Sequence, residues 1–186
     1  MTTVSLQQLC LLLLLALEIL ALDCNRTAEN QLQVSNPEIR KLMEAIGGQQ
    51  LPQGCLYRRP TFGFPGAKIL KASKESKSVA VKIILEKILE IFEHNFTQAG
   101  WDARTIARLQ NALYQQSNHW KNCSATETGE VATLKNQDLN LTLRRYFRQI
   151  QTFLEGQQYC LCAWSIVRIE IWKLFSIDLN QLLQKF

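Results

Sequence analysis

The chain has 186 residues, 47% of them hydrophobic and 20% charged, with a formal net charge of +5. That length and apolar share suit one domain around a single core and exclude an intrinsically disordered chain. The mild positive charge selects no partner by itself, and no zinc-finger spacing, RNA-recognition signature or dense basic run accompanies it, which argues against nucleic-acid binding.

Leu9 to Leu17 form an apolar run interrupted only by Cys10 and Ala16 and followed by Glu18. The run is far shorter than the roughly 20 apolar residues a membrane-spanning helix needs. Residues 1–21 are therefore expected to be a cleaved signal peptide, with cleavage after Ala21, and residues 22–186 the folded domain, without membrane insertion. Four N-glycosylation sequons point the same way, to a secreted, extracellular product: Asn25-Arg26-Thr27, Asn95-Phe96-Thr97, Asn122-Cys123-Ser124 and Asn140-Leu141-Thr142.

Ser35-Asn36-Pro37-Glu38 reads as a helix start: Ser or Asn caps, Pro37 suits the first turn and Glu38 complements the helix dipole. Ile39, Leu42, Met43 and Ile46 then repeat at helical spacing until Gly47-Gly48 stops the pattern. From Gly47 to about Lys77 periodicity vanishes, and this stretch holds five of the eight glycines and three of the four prolines. It reads as a long crossover loop, anchored by Leu51, Cys55, Leu56, Phe62, Phe64, Ile69 and Leu70, which a flexible linker would not carry. A second helix places Val81, Ile84, Leu85, Ile88, Ile91 and Phe92 on one face and Lys82, Glu86, Lys87, Glu90 and Glu93 on the other. A third runs from Trp101-Asp102 to Cys123. The fourth carries Leu139, Leu143, Tyr146, Phe147, Ile150, Phe153 and Leu154, and the fifth begins near Tyr159. Five amphipathic helices without an alternating strand predict an all-α bundle, and the long first connection suits an up-up-down-down cytokine topology.

Once Cys10 leaves with the signal, Cys24, Cys55, Cys123, Cys160 and Cys162 remain, an odd number in a compartment that favours disulfides. Four cysteines allow three pairings that sequence does not rank. A bridge from Cys24 to Cys123, or from Cys55 to Cys162, would close a loop of about 100 residues, worth roughly 4 to 5 kcal/mol in chain entropy. Cys160 and Cys162 form a C-x-C with no second Cys or His pair at a zinc interval, so no metal site is expected. His94 and His119 are the only histidines. With no Gly-x-Ser-x-Gly, phosphate loop or His-Glu-x-x-His present, neither catalysis nor a cofactor is expected.

Cys162-Ala163-Trp164-Ser165-Ile166-Val167-Arg168-Ile169-Glu170-Ile171 resembles the C-A-W-x-x-V-R-x-E-I signature of the type I interferons. Cys55-Leu56-Tyr57-Arg58-Arg59-Pro60-Thr61-Phe62-Gly63-Phe64-Pro65 is similar to the family's C-L-x-x-R-x-x-F-G-F-P loop. Leu143-Arg144-Arg145-Tyr146-Phe147-Arg148-Gln149-Ile150 and Leu113-Tyr114-Gln115-Gln116 match further family segments, all in the family's order. The resemblance, to the alpha, beta and kappa group, implies a five-helix bundle with Cys24 bonded to Cys123 and Cys55 to Cys162. Cys160 departs from the pattern, as a free thiol or a link between two chains of an otherwise monomeric protein. The implied function is that of a cytokine bridging the two chains of the type I interferon (alpha/beta) receptor, triggering JAK-STAT signalling and antiviral and immune gene expression.

By the same resemblance, together with the helical wheel of the fifth helix, the high-affinity receptor chain would be bound by Leu56, Arg59, Arg168, Ile169, Trp172, Lys173 and Ser176. Arg59 occupies the family's key arginine position, where a planar, permanently charged fork makes several directed hydrogen bonds. Phe62 and Phe64 read as loop anchors rather than contacts. The second receptor chain would be bound by Leu89, Glu90, Tyr114 and Arg144, with Gln110 standing where several family members carry a tyrosine. Two other readings remain open: another helical cytokine, interleukin-10-like or lambda-type, and a cationic membrane-active host-defence protein. The Cys-Ala-Trp and Phe-Gly-Phe-Pro segments argue against the first, and the mixed charges of the second helix and the long-loop cysteines against the other.

Overall fold

The computed structural model describes residues 35–48, 50–58, 60–94, 96, 99–124 and 137–183, together with Gln7, Gln8 and Asn30. Apart from Gln7 and Gln8, the expected signal peptide lies outside the described residues, as do Cys24, Asn25, Arg59 and Asn95 and the side chains of Asn122 and Cys123.

All five long helices expected from periodicity are present, and no strand occurs among the described residues. They are α1 (35–47), α3 (Lys74–Phe92), α4 (Ala103–Ser124), α5 (Gln137–Gly156) and α6 (Leu161–Lys173). The crossover is less shapeless than its glycine and proline content suggests. It holds a 3-10 turn, Gln53–Arg58, and a short helix α2, Gly66–Leu70, so the helix count exceeds the expected five. α6 continues through a π-helical stretch, Leu174–Asp178, into α7, Leu179–Leu183.

The helix boundaries follow local chemistry. Ser73 caps α3, its hydroxyl accepting from the Ser76 amide at 3.3 Å. Asp102 does the same for α4, taking the Thr105 amide at 2.8 Å and the Thr105 hydroxyl at 2.7 Å. Those donors hold the exposed Asp102 carboxyl below its ordinary value. The chain turns from α5 into α6 through Gln158 and Tyr159, both at positive φ, and Cys160 sits at the N-cap of α6.

α3 packs against both α4 and α5, and α5 against α6. Ile84, Ile88, Ile91, Leu109, Leu113, Phe147, Ile150 and Val167 meet in one core. Buried polar groups join neighbouring helices: Gln116 Nε2 donates to Asn36 Oδ1 at 2.8 Å between α4 and α1, and Trp120 Nε1 to the Ser78 carbonyl at 3.0 Å between α4 and α3. Phe62 and Phe64 anchor the crossover, as their apolar rings suggest, edge-on to Phe153 at 5.6 Å and Tyr146 at 5.3 Å.

Candidate receptor-binding faces

Cys55 and Cys162 form a disulfide across a sequence separation of 107 residues, with their Cα atoms 5.1 Å apart. This ties the 3-10 turn to the first turn of α6, and the two elements pack together. The expected Cys24 to Cys123 bridge lies outside the described residues. Cys160 is a free, half-buried thiol beside the bridge.

The staple positions one surface. Next to buried Cys55, Leu56 is 55% exposed, an aliphatic side chain held outward by a turn that a covalent bond has fixed. Pro60, Thr61, Phe62, Gly63 and Phe64 then face Glu170, Lys173 and Leu174 across a cleft of about 360 Å³. Tyr146 Oη donates to Glu170 Oε1 at 3.1 Å, fixing one wall of that cleft. Trp172 is half-buried, with Nε1 donating to Glu44 Oε1 at 2.9 Å, and the Ser176 hydroxyl donates to the Trp172 carbonyl at 2.8 Å. Leu56, Trp172, Lys173 and Ser176 thus remain candidates for this face; Arg59 lies outside the described residues.

Two residues assigned to this face from sequence do not belong to its surface. Arg168 is 0% exposed and Ile169 7%. The helical wheel places Arg168 beside the core stripe and Ile169 further out because it allows α6 one buried side. Every residue from Ala163 to Ile169 is buried, so this stretch of α6 is enclosed on all sides, with the 3-10 turn and α1 covering the flank a surface helix would leave to water.

Arg168 instead closes the C-terminus of α1. Its Nη1 donates to the carbonyls of Met43, at 3.1 Å, and Gly48, and its Nη2 to the carbonyl of Gly47 at 2.9 Å. A cation at a helix C-terminus meets carbonyls without intrahelical partners and the negative end of the dipole. Burial pulls the guanidinium below its ordinary value, and the Glu44 carboxylate opposes that shift. The sequence signal for this cap was present in the paired glycines. Gly48 adopts φ +72°, which ends the helix, while a Cβ on Gly47 would stand 2.7 Å from Arg168 Nε. The arginine of the Val-Arg-x-Glu segment is therefore a positioning residue: it fixes α6 to the start of the crossover loop.

The second set of candidates lies elsewhere. Leu89, Glu90 and Tyr114 line one groove of about 350 Å³ between α3 and α4, together with Glu86, Glu93, Ser117, Asn118 and Lys121. Tyr114 is 57% exposed, and Glu90 pairs with Lys87 at 2.6 Å. Glu86 and Glu93, on the polar side of α3, share this wall with Glu90 at positions one helical turn apart. The groove is acidic with an aromatic at its rim. Gln110 turns away, donating to the Phe92 carbonyl at 2.6 Å. Arg144 does not line the groove. It is exposed on α5, its Nε donating to Asn140 Oδ1 at 2.7 Å.

Among the described residues no cluster of three His, Cys, Asp or Glu could hold a metal ion, and no helix is long and apolar enough to cross a membrane. The fold is similar to solved structures of zebrafish interferon 2, with a TM-score of 0.67 at 22% identity over 84% of this chain and 97% of that one, and of zebrafish interferon 1, with a TM-score of 0.68 at 18% identity. In sequence the chain is 37% identical to interferon alpha-2 of Equus caballus over 134 residues, 69% of this chain and 72% of the relative. It is 35% identical to human interferon alpha-16 over 130 residues, 68% of each. Residues 28–186 match the family model described as the interferon alpha/beta domain. With the stapled loop, the all-helical bundle and these likenesses together, the chain belongs to the type I interferon family.

Proposed function

We propose that this interferon is secreted and bridges the two chains of the type I interferon receptor, activating JAK-STAT signalling and antiviral gene expression. The observation that carries this reading is the Cys55–Cys162 staple, which fixes the turn bearing the outward-facing Leu56 to the first turn of α6, the helix that also bears Trp172 and Lys173. Two segments over a hundred residues apart are fixed into one surface before any partner arrives, which lowers the ordering cost of binding. Arg59, which stands at the key arginine position of the family's loop motif, is the charged anchor we assign to the same receptor chain. The acidic groove of Leu89, Glu90 and Tyr114, with Arg144 on neighbouring α5, takes the second chain. Complementary charge there favours a basic receptor surface.

The test is induction of an interferon-responsive reporter by purified protein in cells lacking one receptor chain or the other. Loss of signal in both lines is expected; undiminished signal in either contradicts the assignment.

A further inference from the structure

We propose that Asn140 carries an N-linked glycan that shields Arg144 and thereby weakens engagement of the second receptor chain; the inference rests on the two-face reading above. Asn140-Leu141-Thr142 lies in the first turns of α5, and Asn140 and Arg144, four residues apart, share one side of the helix. Asn140 Oδ1 accepts the Arg144 Nε–H at 2.7 Å. Only the amide oxygen can accept from a guanidinium, so this bond engages Oδ1 of the half-buried Asn140 and leaves Nδ2 out of the contact with Arg144.

Nδ2 is the atom that glycosylation uses. In transfer from a lipid-pyrophosphate-linked oligosaccharide, Nδ2 bonds to the sugar's anomeric carbon and loses one proton. The anomeric carbon–oxygen bond breaks, and the lipid pyrophosphate departs with the electron pair. Oδ1 takes no part, so it remains available to accept from Arg144 once the glycosylated chain has folded. The arginine is then held at the base of the first sugar rather than displaced by it. Thr142 is already occupied within the fold, its hydroxyl donating to the Asp138 carbonyl at 2.7 Å and accepting from Lys68 Nζ at 3.2 Å. The transferase must therefore act on the nascent chain, before α5 docks. A bulky hydrated glycan rooted one helical turn from Arg144 covers it, while the Leu56 face on the 3-10 turn belongs to different elements and stays open.

The experiment uses the full chain secreted from mammalian cells. Peptide mapping after glycosidase treatment in heavy-oxygen water reads Asn140 occupancy, and binding to each isolated receptor ectodomain is measured for wild type, Asn140→Gln and Thr142→Ala. Occupied Asn140 is expected, with both variants binding the second chain several-fold more tightly and the first chain unchanged. Wild type and Asn140→Gln produced in a non-glycosylating bacterial host should bind alike. An unoccupied Asn140 overturns the proposal. Occupancy without any gain in second-chain binding on removing the sequon, while Arg144→Ala weakens that binding, overturns shielding and leaves the two-face reading standing. If Arg144→Ala and Tyr114→Ala both leave second-chain binding unchanged, the face reading itself fails and shielding fails with it, whatever the occupancy.

Discussion

The loop–α6 face and the α3–α4 groove are built by opposite means. The first joins segments distant in sequence, by a disulfide between Cys55 and Cys162 and by Arg168 reaching the end of α1. The groove comes from two adjacent helices whose outer residues are solvated and whose core residues hold them in place without help from the groove itself. Stability and binding are therefore coupled in the first region and separable in the second.

The largest effect that exposes this contrast is loss of the staple. Cys55→Ala paired with Cys162→Ala should cost about 4 to 5 kcal/mol by loop entropy, seen as a lower midpoint in chemical denaturation, and should weaken first-chain binding in parallel. Next comes Arg168→Ala, which leaves three carbonyls at the end of α1 without their charged donor. A loss of about 3 kcal/mol is expected, and Arg168→Lys should restore little because an ammonium cannot reproduce the fork. Thermal melts with unchanged stability for Arg168→Ala would return the residue to the binding surface. Gly47→Ala sharpens the same point through its sign. A glycine within a helix normally gives way to alanine with a gain of about 0.5 to 1 kcal/mol, but here the Cβ 2.7 Å from Arg168 Nε should turn the gain into a loss.

In the groove, Tyr114→Ala should lower second-chain affinity about tenfold, as expected of an exposed aromatic anchor worth more than 1 kcal/mol, with the melting midpoint unmoved. The smallest effect concerns neither face. Asp102's folded-state pKa is depressed below 3.8 by the Thr105 hydroxyl and amide, so its stabilisation is fully present above 3.8 and is lost as pH falls from there through the lower folded-state value. Asp102→Asn should keep most of the cap while flattening the acid limb of a stability-versus-pH curve.

α3 and α5 were legible because each buries one stripe, and periodicity records one stripe well: Ile84, Ile88 and Ile91 in α3 and Leu143, Phe147 and Ile150 in α5 all lie in the core. α6 defeated the same method. Its run from Ala163 to Ile169 is buried on every side, so Arg168 and Ile169, which fall off the apolar stripe, looked like surface. What covers them comes from segments more than a hundred residues earlier, and no local spacing encodes that. Leu89, Glu90 and Tyr114 line a groove on the outward side of α3 and α4, a side that follows directly from where the two cores point. The crossover's internal turns were hidden because a six-residue 3-10 turn and a five-residue helix are too short to show a period.

Separability of the two faces is tested most directly by measuring the affinity of Leu56→Ala and Tyr114→Ala variants for each isolated receptor ectodomain. The expected result is a crossed pattern: Leu56→Ala weakens binding to the high-affinity chain alone, and Tyr114→Ala weakens binding to the other chain alone. A variant that weakens both chains equally, or a pair that weakens neither, contradicts the account.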